Sequence, residues 1–261
     1  MIARGGARGF LRAAPRVNLA ISQNLGIPSD ILSSHTFSWH DQGIIREEKT
    51  LKSPALLLKL AILLLCSVFA CAKDNAEANA SYEKALQQVR SGDFKIDFKA
   101  MRIDCAASKY DCQANPDDIK LLYSLVREKK FGEALKKANQ SLEKVFVDAE
   151  LHYIAFIANT ESGNKEKAEF HKAAIRGILD SIQENKHGRS EDDAFVVINV
   201  HEEYTFLRFS NMQVTSQSLQ KKDGHTYDVM ACKDMSAKGA EVTAYFNVDI
   251  PTKRLADALA H

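Results

Sequence analysis

Several signatures that would name a chemistry outright are missing from this sequence. It has no Gly-x-Ser-x-Gly turn, so a hydrolase nucleophile elbow has no carrier; Ser162-Gly163 reads as a helix end and Ser190 as a cap. No paired Cys-x-x-Cys motifs give zinc-ligand spacing. Gly5-Gly6-Ala7-Arg8-Gly9 follows no strand, which removes it as a phosphate-cradling loop. Lysine and arginine nowhere form a run interleaved with aromatics, so nucleic acid is not an expected partner. His201-Glu202-Glu203-Tyr204 lacks the second histidine of a zinc-protease helix, because Thr205 stands in that place.

What is present divides into segments. The chain has 261 residues, 45% hydrophobic and 26% charged, enough for one large or two small cores. Its net charge of +1 hides an asymmetry: residues 1–72 hold eight Lys/Arg against four Asp/Glu, leaving the remainder mildly acidic. Residues 1–50 begin with Arg4, Arg8, Arg12 and Arg16 and reach their first acid at Asp30. Two readings stay open, a transit-type leader or an upstream extension with translation starting near Leu51, and both predict disorder.

Residues 51–72 carry an export signal. Lys52 and Lys59 supply the positive region, Leu60 to Phe69 the apolar core, and Ala70-Cys71-Ala72 the small residues a signal peptidase reads. Cleavage there leaves Lys73 first. Val68-Phe69-Ala70-Cys71 also reads as a poor lipobox, with Cys71 the lipidated residue of a membrane-anchored lipoprotein. Left uncleaved, Ala55 to Ala72 is a marginal membrane span. The expected location is the periplasm or outer envelope. Cys105, Cys112 and Cys232 remain in the exported part. Cys105 and Cys112 either close a small loop or stay reduced.

Residues 73–80 read as a flexible linker, residues 81–250 as one domain, and residues 251–261 as a tail. Within the domain, residues 81–187 are helical. Ser81 caps a first helix through Tyr82, Leu86 and Val89, and Asp97 a second through Phe98, Met101 and Cys105. Two helical hairpins follow, turning at Lys130 and Asn164. Ala134 and Ala168 lie 34 residues apart, the period of a tetratricopeptide repeat. Each of their four helices shows an amphipathic stripe: Leu121/Leu122/Leu125/Val126, Ala134/Leu135/Ala138/Leu142, Leu151/Ala155/Phe156/Ala158, and Ala168/Ile175/Ile178/Leu179/Ile182.

After Gly188 the period changes to two. Ser190 to Asp193 reads as a capping box for one helical turn. Phe195 to Val200, continuing through Glu203 to Phe209, reads as a strand, followed by strands at Gln213–Gln220, His225–Cys232 and Val242–Val248, with Asp223-Gly224 as a hairpin turn. The expected fold is α+β, with helical hairpins packed on a C-terminal antiparallel sheet of about four strands.

The chain resembles DUF4919, a family of exported bacterial proteins of unknown function. The residues carrying the resemblance are Asp97 to Arg102, Ala149-Glu150-Leu151-His152, Ala168-Glu169-Phe170-His171, Ser190 to Tyr204, Tyr227 to Met230, and Tyr245 to Val248. It spans about Tyr82 to Asp249 and departs at Lys186-His187-Gly188, where a more acidic, Gly-rich turn is expected. The resemblance implies export and a helix-plus-sheet fold; it implies no activity.

Candidate chemistry concentrates in His152, His171, Glu202, Glu203 and Tyr204. Helix pairing could bring His152 and His171 together, and with Glu202 or Glu203 they could bind a divalent metal such as zinc. Against this, a histidine at the border of an apolar stripe needs only one hydrogen bond to be satisfied. Strict alternation turns Glu202 inward, where it needs a His or Arg partner, a raised pKa, or a bulge that turns it out. The leading reading is a non-enzymatic module that holds a protein or peptide partner and needs no cofactor. The others are a metal-dependent or acid/base hydrolase built on His152, His171, Glu202 and Glu203, and a lipoprotein of structural role. Any membrane attachment runs through an uncleaved signal or a lipidated Cys71. N-terminal sequencing and intact mass of the protein recovered from an expressing bacterium test the export reading. Lys73 as first residue is the expected result, an acylated Cys71 marks a lipoprotein, and a retained leader contradicts export.

Overall fold

A computed structural model describes residues 76–260. The leader (1–50) and the signal segment (51–72), with Cys71, lie outside the described residues. Helix α1 (76–90) already includes residues 76–80, expected as linker. Its buried positions Ala78, Tyr82, Leu86 and Val89 form one stripe, and Gly92 ends it at φ +89°. Arg90 then donates to the Glu143 carbonyl (3.1 Å) at the end of another helix, where a cation meets the negative pole of the dipole.

α2 (Phe98–Ala107) starts where Asp97 accepts a hydrogen bond from the Ala100 amide, as its position in the sequence predicts. Phe98, Met101 and Cys105 are buried, and Arg102 is buried among them. The Phe98 ring occupies the space a side chain at Gly177 would need, which brings α2 close to α6. Cys105 and Cys112 form a disulfide (Cα–Cα 6.0 Å), which decides between the two readings of those thiols. Cys232 is reduced and buried.

α3 (Pro116–Arg127) and α4 (Phe131–Lys144) form one hairpin, α5 (Ala149–Glu161) and α6 (Lys165–Gln183) the next. The hairpins lie side by side, with α5 against α3, α4 and α6. The stripes of α3, α4 and α6 are buried largely as expected, except that Leu121 is exposed. That of α5 is not a stripe at all: every residue from Ala149 to Asn159 is buried. α5 is the central helix and meets packed neighbours all round, so its sequence is apolar beyond one face.

The sheet half differs from expectation in one large respect. Phe195–Val196 is a two-residue strand, β1, but Val200–Phe209 is a helix, α7, not a strand. Asn199 caps it by accepting from the Glu202 amide (2.9 Å), and Glu202 and Glu203 place negative charge at its positive pole. Thr205, Phe206 and Leu207, with both glutamates, are buried at helical spacing. β2 (Met212–Lys222), β3 (His225–Asp234) and β4 (Ala240–Asn247) form an antiparallel meander, and β1 joins it parallel to β4. The four-stranded sheet is therefore mixed, ordered β1-β4-β3-β2. Asp223 (φ +52°) and Gly224 (φ +85°) make the expected hairpin turn. The residues expected as a tail form α8 (Asp249–Leu259).

Six of the helices precede the sheet, with α7 between β1 and β2 and α8 after β4, an α+β arrangement. Phe195, Phe206 and Phe246 join β1, α7 and β4, with ring centroids 4.7–6.2 Å apart. Ser190 makes no side-chain cap for the short helical turn at Glu191–Asp193. Gly188 instead holds that region: its N–H donates to the Asp193 carbonyl, its C=O accepts from the Tyr245 amide, and the Phe195 ring fills its Cβ side. The turn at Lys186-His187-Gly188 thus has a packing role. No helix among the described residues is long and apolar enough to cross a membrane.

Candidate functional site

α7 is the element around which the titratable groups gather. Its ten residues put Glu202 toward α2, His201 toward α5, and Glu203 toward β3. Three separate networks result.

The first ties α2 to α7. Glu202 accepts from Arg102 Nε (2.8 Å) and Nη2 (2.5 Å), a two-point match of guanidinium to carboxylate. It also accepts from the Ile198 amide (2.9 Å). The remaining Arg102 donors reach Ser181 Oγ (3.2 Å) on α6 and the Val196 carbonyl (3.0 Å) at the end of β1. Arg102 is 1% exposed and Glu202 6%, so both charges are inside and both are matched. Glu202 has the arginine partner that its inward position requires, with no bulge. Asn199, which caps α7, also donates to the Cys112 carbonyl (3.1 Å) and so links α7 to the disulfide-closed loop.

The second network joins α7 to α5. His201 Nε2 lies 3.0 Å from Glu150 and 3.6 Å from Asp148. Burial opposes its charge, but hydrogen bonds to those two carboxylates outweigh it and lift His201 to about 10. Burial likewise works against charge on Glu150, yet Arg208 (2.6 Å), His201 and Tyr123 hold it at about 2. Asp148 meanwhile caps α5 and accepts from the Ala114 amide.

The third is the acid pair Glu203–Asp228. Glu203 is fully buried and receives no N–H donor. Burial, with Asp228 and Glu202 adding negative potential, raises it to about 9. It is therefore a neutral acid at pH 7, and its O–H serves the Asp228 carboxylate. Burial raises Asp228 too, offset by Gln217 and Glu203. Gln217 donates to Asp228 (2.6 Å) and accepts from the Tyr204 hydroxyl (2.5 Å).

His152 and His171 do meet, at 3.0 Å between their Nδ1 atoms. His152 Nε2 lies 2.8 Å from the Phe146 carbonyl and so carries the proton there. Its Nδ1 is then an acceptor, and His171 Nδ1–H is the donor. Burial, with the neighbouring histidine, pushes His152 down to about 3; burial, with Lys167, pushes His171 down to about 4. Both are neutral. Glu202 is committed to Arg102, and among the described residues no group of three or more His, Cys, Asp or Glu is placed to hold a metal ion. The expected trio of His152, His171 and Glu202 is therefore not assembled.

None of these five residues opens onto the large cleft of the molecule. That cleft, roughly 610 Å³, lies between α3 and α4. Asp111 and Asp118 stand on its α3 side, Lys137, Glu143 and Lys144 on its α4 side, and Leu121, 42% exposed, lies between. Those five charges make no ion pair among the described residues.

Sequence reasoning missed Arg102, His201, Glu150 and Asp228. Arg102 and Asp228 each left a sign: one interrupts the stripe Phe98, Met101, Cys105, the other an inward strand row of Thr226, Met230 and Cys232.

The fold and site define a class: a small α+β protein with interlocked internal charges and an open cleft on its helical half. The chain matches the family described as a domain of unknown function (DUF4919) over residues 104–256, and it belongs to that family. No curated protein and no solved structure matches it.

The Glu203 proton makes stability depend on pH. Its folded value, about 9, lies above the ordinary 4.5, so the folded state holds a proton that the unfolded state releases between those limits. The contribution of Glu203 is fullest below the lower value and falls by about 1.4 kcal/mol per pH unit until the upper is passed. Urea unfolding across that range should show a steeper descent for wild type than for Glu203→Gln. Equal slopes would place the proton elsewhere.

Proposed function

We propose that this is an exported bacterial envelope protein that holds a peptide or protein segment in the α3–α4 cleft, without catalysing a reaction on it. The observation that carries the reading is the contrast between the two kinds of charge. The titratable groups are internal and matched to one another. The cleft charges are exposed and unpaired among the described residues, in a mostly polar lining with Leu121 exposed between them, which suits an extended segment carrying both signs and an apolar side chain. The two adjacent hairpins and their 34-residue spacing resemble tetratricopeptide architecture, whose stacked helices form such surfaces. Export draws support from the signal-like segment at residues 51–72 and from the Cys105–Cys112 disulfide, which suits an oxidising compartment.

A hydrolase built on His152, His171, Glu202 and Glu203 would need them to converge on substrate. Each is instead buried, His152 against His171, and Glu202 and Glu203 on different sides of α7, facing Arg102 and Asp228. The test is selection of peptides from a random displayed library on the full chain. Convergent binders are expected, weakened at least tenfold by Leu121→Asp or by Lys137→Glu with Lys144→Glu, at unchanged circular dichroism. Absence of convergent binders, or binders indifferent to these changes, would contradict the reading.

A further inference from the structure

The outer strand of the sheet, β2, is the longest at eleven residues, and every residue from Thr215 to Lys222 is exposed. It pairs on one side only, with β3, since the strand order ends there. The hairpin register shows which backbone groups are left over. Lys222 pairs with His225 across a two-residue turn, so that pair exchanges its N–H and C=O groups. Alternation then makes Gln220 and Ser218 bond inward to β3, while Lys221, Leu219 and Gln217 direct their N–H and C=O groups to the open edge. No backbone partner meets those groups among the described residues. Natural sheets blunt such edges with short strands, bulges, prolines or charged side chains, lysine above all, and in β2 the lysines Lys221 and Lys222 stand only at the turn end. Here the bulge between Val214 and Ser216 interrupts the edge, but beyond it the strand is regular to the turn.

We infer that this edge pairs with the same edge of a second copy, antiparallel about a two-fold axis at Leu219. The register of β2 favours this occupant. An axis at Leu219 sets Leu219 against its own mate and covers a leucine that is 63% exposed. It sets Lys221 against Gln217 and Lys222 against Ser216, so no lysine faces a lysine. The segment 216–222 contains no acid and no proline that would break the match. The outward groups of Gln217, Leu219 and Lys221 then meet those of Lys221, Leu219 and Gln217 in the other copy, and two four-stranded sheets become one of eight. The interaction is isologous, as a two-fold requires, and it leaves the α3–α4 cleft free.

Sedimentation velocity of the full chain over a concentration series tests this, with amide exchange as the residue-level readout. The expected result is a monomer–dimer equilibrium, with the Gln217, Leu219 and Lys221 amides slowing in exchange as the dimer forms. Leu219→Lys places like charges on the axis and should shift the equilibrium at least tenfold toward monomer, with an unchanged circular dichroism spectrum. Leu219→Pro removes an outward N–H while sparing the bonds to β3, and should do the same. A wild type that stays monomeric at every concentration overturns the inference, whether or not the edge captures an extended peptide instead. So does a dimer that Leu219→Lys leaves intact.

Discussion

A buried guanidinium and one carboxylate, 100 residues apart in sequence, decide how the halves of this chain meet. Neither Arg102 nor Glu202 could enter a protein interior alone, since an unmatched buried charge costs several kcal/mol. Together they use all three guanidinium nitrogens and both carboxylate oxygens. The partners are spread over α2, α6, the end of β1 and the start of α7. A shift of any of these elements would leave a donor or acceptor unmet. The pair therefore contributes less to net stability than to fixing a single geometry.

Around that pin, the other polar groups repeat the same logic. Asn199 serves α7 as a cap and the Cys112 carbonyl as a donor. Asp148 serves α5 as a cap and the Ala114 amide as an acceptor. The loop closed by Cys105 and Cys112, with the residues just after it, is thus fastened to the starts of two helices, and Asp111, Gln113, Ala114 and Asn115 border the α3–α4 cleft. Burial sets the protonation of the histidines and glutamates singled out in the sequence. His152 and His171 share one hydrogen bond as neutral rings, and Glu203 keeps its proton. The charges of the cleft, by contrast, stay in water.

Much of the helical half is legible in the sequence because its helices are long and three of them bury a single face. The stripe of α6 survives nineteen residues, and Asp97 caps α2 as its position predicts. α7 is not legible for a physical reason. It has ten residues, follows the β-branched run Val196-Val197-Ile198, and is buried on more than one side, so its apolar positions fit a two-residue period as well as a helical one. The decisive signal is Asn199 ahead of two acids, a helix start. That error also mispaired the candidate site: alternation sends Glu203 outward, whereas the helix buries Glu202 and Glu203 toward different neighbours. Residues 76–80, the polar first turn of α1, and the largely exposed α8 escape notice because both carry weak periodicity.

The Arg102–Glu202 pin is tested most directly by urea unfolding of Arg102→Met beside the double variant Arg102→Met with Glu202→Leu. The account predicts a loss of about 3–5 kcal/mol for the single change, because Glu202 is left charged and alone, with part of that loss recovered in the double. A single variant within about 0.5 kcal/mol of wild type would contradict it, and so would a double variant no more stable than the single.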